Sequence, residues 1–314
     1  MFRRTHAVAF LAGCVVTLTA CPPAIADPAA AVSDACHRTT GVASGYEYSD
    51  DEWNAHVEEV RRKLVDAPTT EELYRGPDGI WSIQRVEQQN DLMDDLWQRE
   101  AADAVPREGK AIVIGGVSGA GKTTALERSA GVDRSQYFAI NPDDVKDTMA
   151  ARGMIPVIDG LSPMEASTKA HEEASMLAKH LADRAYRNRT NAIWDITMNS
   201  PDSVTERIVA MRTAGYIEVD GVFANVPLDI ARMRAMHRWR QGQETYRAGT
   251  GCGGRYVPED FIDASTPDVP GFSSRNEEVF EMVRGQFDST VEGDTSDPEP
   301  LEISATGPRW AHLH

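Results

Sequence analysis

Apolar positions first gather in one block, Ala7 to Cys21, behind Arg3 and Arg4 and ahead of Pro22-Pro23 and Ala24-Ile25-Ala26. A basic start, a short hydrophobic stretch and small residues are the layout of an export signal over residues 1–26, and the block is shorter than the ~20 residues of a membrane-spanning helix. Leu18-Thr19-Ala20-Cys21 also resembles a lipoprotein signal, so a lipid on Cys21 is the one membrane attachment expected, with cleavage after Ala26 as the competing reading. Residues 27–48 are small and polar, as in a tether. Over 49–107 the pattern turns helical. Trp53, Val57, Val60 and Leu64 recur at three- and four-residue spacing, Ile83, Val86, Leu92 and Leu96 less regularly, and Gly76-Pro77-Asp78-Gly79 breaks the segment with a turn. This predicts a helical lead-in packed on the domain C-terminal to it.

From Lys110 the period changes. Ala111-Ile112-Val113-Ile114 is a continuous apolar run opening into glycines, as expected of a strand buried on both faces. Further strands are predicted at Tyr137 to Ile140, Asn191 to Ile196 and Ile217 to Val226, with helices at Ser162 to Arg187, Pro201 to Ala214 and Leu228 to Gln241. Strands alternating with helices predict an α/β fold over 108–272, a P-loop NTPase-type parallel sheet with helices on both faces, preceded by the helical lead-in. After Phe272 the signal fades; 273–314 reads as a helix and a loose tail, acidic and proline-bearing from Glu292 to Pro300.

Composition narrows the partners. The 314 residues carry 49 acidic against 32 basic side chains, a formal charge of −17, which disfavours nucleic acid and anionic membrane as partners. Small phosphorylated ligands stay open if a few cations collect locally. Cys36 and Cys252, the cysteines outside the leader, lie too far apart in sequence to predict a bond by themselves, and no spacing suits zinc.

The chemistry starts where the first strand ends. Gly116-Val117-Ser118-Gly119-Ala120-Gly121-Lys122-Thr123 fits G-x-x-x-x-G-K-[ST] at every fixed position, with Thr124 continuing into the next helix. Glycines let backbone N–H groups turn inward around phosphate oxygens, and the adjoining helix adds the positive end of its dipole. Lys122 would reach the β- and γ-phosphates of ATP or GTP, and the Thr123 hydroxyl would ligate Mg²⁺. Asn141-Pro142-Asp143-Asp144-Val145-Lys146 comes directly after the second strand, where an acid can take the proton of an attacking hydroxyl or can simply cap a helix.

Together these pieces resemble the zeta toxin family, bacterial toxin–antitoxin kinases that phosphorylate the sugar 3′-hydroxyl of UDP-N-acetylglucosamine. The resemblance runs from roughly Glu72 to Asp263. Besides the glycine loop and the Asn-Pro-Asp-Asp-x-Lys segment it includes His171-Glu172-Glu173-Ala174-Ser175, Trp194-Asp195-Ile196-Thr197, and an arginine-bearing helix leading to Gly254-Arg255-Tyr256-Val257-Pro258. It implies that Asp143 is the catalytic base, that Glu173, Asp195 and Thr197 contact the sugar nucleotide, that Arg238 and Arg255 clamp the transferring phosphate with Lys122, and that an antitoxin is a partner. On residue chemistry alone Asp195 could instead orient Mg²⁺ through water, Glu173 could be helix surface, and Arg238, on a helix also bearing Arg232, Arg234 and Arg240, could belong to a solvated basic face. The chain departs from the best-known members in having Asp rather than Glu at 195. A need for ATP points to the cytoplasm and the leader points out of it, so location stays open.

Overall fold

The computed structural model describes Cys36 and residues 46–100, 102–297 and 303–313, so the expected leader, Cys21 included, lies outside the described residues. The longer helices are labelled α1 (Asp50–Val65), α2 (Ile83–Arg99), α3 (Lys122–Thr124, continued by a π-turn over Ala125–Ser129), α4 (Pro142–Ala151), α5 (His171–Asn188), α6 (Pro201–Thr213), α7 (Leu228–Arg247) and α8 (Arg275–Val283). The strands are β1 (Lys110–Gly115), β2 (Phe138–Ile140), β3 (Ala192–Asp195), β4 (Glu218–Asn225), β5 (Thr290–Asp294) and β6 (Ile303–Thr306). They form one sheet in the order β2-β3-β1-β4-β5-β6. All neighbours are parallel except the antiparallel edge pair β5–β6, and Ile114 stands opposite Asp195 on one side and Val222 on the other.

The continuous apolar run of β1 has the physical meaning expected of it. Ala111 and Val113 face one core, shared with Leu92 and Leu96 of α2, Leu177 and Ala178 of α5 and Phe280 of α8. Ile112 and Ile114 face the other, with Leu126, Ala231 and Trp310. Helices therefore cover both faces of a mostly parallel sheet, the fold class expected from the alternation of elements.

The lead-in is helical and starts on residue chemistry. Ser49 accepts from the Glu52 backbone N–H while the Glu52 carboxylate accepts from that of Ser49, a capping box that begins α1. Trp53, Val57, Val60 and Leu64 then bury one stripe against Trp239 of α7 and Tyr256. Gly76 to Gly79 does turn the chain, its Gly79 N–H donating to the Gly76 carbonyl at 2.9 Å. Among the described residues, no helix is long and apolar enough to cross a membrane.

Two expectations from the sequence change. The helix expected over Ser162 to Arg187 is broken: Pro163–Ala166 is a separate capped turn, Ser167–Ala170 is 3₁₀, and α5 begins only at His171. The acidic stretch from Glu292 is not loose at its start, because Glu292 to Asp294 run in β5 beside β4. Its charge is absorbed locally: Glu292 accepts from Asn225 at 2.9 Å and from Arg284 at 2.8 Å.

Candidate active site

Strand order reverses at β1, whose sequence successor β2 lies on one side of it and β4 on the other. In open α/β sheets the crevice beyond the carboxyl ends of the strands at such a point is where ligands bind. Here it is a cleft of about 700 Å³ lined by Val117 to Thr123, Asn141, Asp143, Asp144, Lys146, Asp195, Thr197, Arg238 and Arg255. Gly116 directly follows β1 and Thr124 lies on α3; neither is among the residues that line the cleft. Gly119 and Gly121 have φ of 89° and 76°, and a Cβ on Gly119 would strike the Ala231 backbone of α7, so both conformation and close approach require glycine there.

Each charged side chain reaches the cleft from a different element. Lys122, in the first turn of α3, sits with Nζ 2.6 Å from the Asp195 carboxylate and donates to the Ile196 carbonyl at 3.3 Å. Asp195 is the last residue of β3, and Thr197 lies two positions on; the Thr197 carbonyl accepts from the Asn276 side chain at 2.7 Å and from the Gly116 N–H at 3.4 Å. Asp143 lies in the first turn of α4, whose cap Asn141 accepts from the Asp143 N–H at 2.8 Å and also reaches Asp195 at 3.5 Å. Asn141 thus caps the helix and, with Asp143, also lines the cleft.

Asp143 is the centre of the electrostatics. Its carboxylate is 2.6 Å from Arg255 Nη1 and 3.4 Å from Lys146 Nζ. Burial pushes this carboxyl up, but the charges of Arg255, Lys146 and Lys122 outweigh it and hold it below the usual carboxylate range. Asp144 goes the other way: burial, with Asp147, Asp195 and Glu100 nearby, pushes it up to about 6. The two adjacent acids thus differ because Arg255, Lys146 and Lys122 act on Asp143, whereas other acids crowd Asp144.

Arg232, Arg234, Arg238 and Arg240 of α7 divide their work rather than forming one solvated face. Arg232 pairs with Asp263, Arg234 donates to the Thr295 and Ser296 carbonyls at 2.8 and 3.0 Å, and Arg240 pairs with Asp50 at 2.9 Å. Arg238 alone of them lines the cleft, 3.4 Å from the Ser118 hydroxyl. Arg255 also donates to Asp147 at 2.9 Å, while its buried Nε has no protein partner. A guanidinium with spare donors at the mouth of a phosphate loop suits an anionic oxygen.

Glu173 requires a correction. It is fully buried, does not line the cleft, and accepts from Arg85 Nε and Nη2 at 2.7 and 2.8 Å and from Gln89 at 2.7 Å. Its neighbour Glu172 lines the cleft instead, with His171 and Lys169. One step along a helix turns a side chain by about 100°, enough to swap cleft for core. Thr69, Thr70 and Glu71 of the lead-in also line the cleft, and no local signal in the sequence points to them. Asp147 was open to detection, since it lies four residues after Asp143 and so on the same helix face.

The donors beside Lys122 fit a magnesium nucleotide. Thr123 offers a hydroxyl and Asp195 a carboxylate, and Mg²⁺ is commonly held by one or two such groups together with substrate phosphates and water.

A family model described as zeta toxin matches residues 94–282, more than half of the chain. No curated protein matches it. Among solved structures the chain is similar to one of the PezAT chromosomal toxin–antitoxin system of Streptococcus pneumoniae, at 14% identity and a TM-score of 0.45, over 82% of this chain and 81% of that one. It is also similar to a candidate kinase from Chloroflexus aurantiacus, at 20% identity and a TM-score of 0.40, over 62% of this chain and 91% of the other.

Proposed function

The chain belongs to the zeta toxin family of P-loop kinases, and we propose that it moves the γ-phosphoryl group of ATP or GTP onto the sugar 3′-hydroxyl of UDP-N-acetylglucosamine. The observation that carries this reading is the convergence, on one cleft at the end of β1, of the phosphate loop, an ionised Asp143 and the cations Lys122, Arg238 and Arg255.

In this reading the glycine loop cradles the phosphates through its N–H groups, with Lys122 exchanging its contact with Asp195 for the phosphate oxygens. Thr123, and Asp195 through water, would hold Mg²⁺, which when bound would supply positive charge to offset that of the phosphates. Asp143 accepts the proton of the acceptor hydroxyl as that oxygen attacks phosphorus and the bond to the leaving ADP or GDP oxygen breaks. Arg255 and Arg238 then give their donors to the transferring group. Asp195 and Thr197 face the sugar nucleotide, Glu172 replaces Glu173 as the acid of α5 that reaches it, and an antitoxin would act by covering this cleft. Residues 49–107 belong to the kinase unit, supported by the place of Thr69 to Glu71 in the cleft wall.

The test is transfer from γ-labelled ATP or GTP to UDP-N-acetylglucosamine, within a panel of other hydroxyl acceptors, by the full chain and by Asp143→Asn. The expected result is labelled sugar nucleotide from the parent and a kcat about 10²–10⁴ lower in the variant. Transfer to a different acceptor would replace the substrate assignment, and equal rates in the two proteins would remove Asp143 from the role of base.

A further inference from the structure

Arg255 hangs on an unusual piece of chain. Residues 249–254 read Gly-Thr-Gly-Cys-Gly-Gly, with φ of 74° at Gly251 and 100° at Gly253 on either side of Cys252. Glycine-rich chain of this kind has the largest conformational freedom to lose when it is ordered, yet it must deliver a guanidinium to within 2.6 Å of Asp143.

Cys252 is joined to Cys36 by a disulfide, with Cα atoms 4.6 Å apart, a pairing that spacing alone did not predict. The Cys36 sulfur is buried and lies 3.5 Å from the Ala150 carbonyl, in the last turn of α4. The same helix carries Asp143 and Asp147, the two acids that Arg255 meets. The bond therefore joins the glycine loop to a residue whose sulfur rests against the helix that Arg255 must address. Arg255 comes three positions after Cys252, so the anchor lies within roughly 10 Å of chain from the guanidinium's own backbone. The Gly249 and Thr250 N–H groups hold the start of the loop to the Tyr246 and Thr245 carbonyls of α7, at 3.0 and 3.1 Å, and nearer Arg255 the Met164 N–H donates to the Cys252 carbonyl at 3.0 Å.

We propose that Cys36 and Cys252 are positioning residues for Arg255, so that phosphoryl transfer runs at full rate only when their disulfide is closed. The inference rests on the kinase reading. Closure needs a disulfide-bearing oxidant such as oxidised glutathione: the two thiols lose two electrons and two protons, the Cys36–Cys252 bond forms, and the oxidant's S–S bond is reduced to two thiols. In a thiol-reducing compartment the same kinase carries its phosphate loop intact but its arginine on a loose tether. The transfer rate then scales with the fraction of molecules in which Arg255 is in place.

The test compares the oxidised full chain with the same protein after dithiothreitol, beside Cys36→Ser/Cys252→Ser and Arg255→Ala. The measurements are kcat with labelled ATP and UDP-N-acetylglucosamine, affinity for a non-hydrolysable ATP analogue, and hydrogen exchange over 249–258. Reduction is expected to lower kcat about tenfold or more, to leave analogue affinity unchanged and to speed exchange in that segment. The double serine variant should be slow with or without reductant, and Arg255→Ala should be slow and insensitive to it, because the two perturbations act through one group. A slow Arg255→Ala beside a parent whose kcat and exchange ignore reductant would overturn the positioning role and leave the kinase reading standing. Reduction that slows Arg255→Ala by the same factor as the parent would make the disulfide a general staple, which also overturns it. An oxidised Arg255→Ala as fast as the parent would remove Arg255 from the transfer step and the positioning role with it, whereas no transfer by the oxidised parent to any acceptor would sink the kinase reading.

Discussion

Replacing Glu173 by Ala tests whether this acid serves the substrate or the fold. Its carboxylate is fully buried and takes three hydrogen bonds, two from Arg85 and one from Gln89, at 2.7 to 2.8 Å. Arg85, itself 2% exposed, has the Met154 carbonyl and the Tyr74 ring as further partners but no second acid among its described contacts. The substitution leaves a guanidinium charge inside the protein without its counter-ion, and breaking a buried pair from one side costs about 3–5 kcal/mol. At roughly 2–4 °C per kcal/mol for a domain of this size, the midpoint of thermal unfolding should fall by about 6–20 °C. Glu173→Gln keeps an acceptor and should fall less. Differential scanning calorimetry measures the midpoint, and KM for the acceptor, taken well below it, should match the parent in the fraction that folds. An unchanged midpoint with a raised KM would refute the structural account and return Glu173 to the cleft.

Lys122→Met should lower kcat by about 10²–10³, the scale for losing one aligned donor to developing charge, measured by single-turnover transfer; a rate within a few-fold of the parent would remove Lys122 from the site. Stability should rise as pH falls from about 8 towards 5, because burial pushes Asp220 up to about 7 against the pull of Arg309, with Glu218 adding to the rise. Between the ordinary carboxylate value and that one, the folded state holds a proton that the unfolded chain has released, so protons favour folding. Thermal midpoints across that range check it, and Asp220→Asn should flatten the slope; a midpoint that climbs with pH would contradict it.

The phosphate loop was legible because its chemistry is local. Glycines at 116, 119 and 121, a lysine and a threonine lie on eight consecutive residues between a strand and a helix, so one stretch of sequence holds the whole cradle. Asp143 was legible for the same reason, standing at the end of a strand and the start of a helix. The sheet with helices on both faces emerged from continuous apolar runs alternating with amphipathic ones.

What tertiary structure alone decided depends on contacts between distant segments. Glu172 and Glu173 are indistinguishable in a list of residues, and the position of α2, with Arg85 and Gln89 waiting on one side of α5, decides which of them is buried. Arg232, Arg234, Arg238 and Arg240 of α7 look alike until Asp263, Thr295, Ser118 and Asp50 arrive from other parts of the chain to claim one each. β5 hides in an acidic stretch because Arg284 and Asn225 meet Glu292 only after the chain has folded back. The Cys36–Cys252 bond closes a loop across most of the protein. Sequence determines what depends on a residue's immediate neighbours, through backbone geometry and hydrophobic period. Burial and pairing depend on which surfaces the fold brings together, and those partners come from tens to hundreds of residues away.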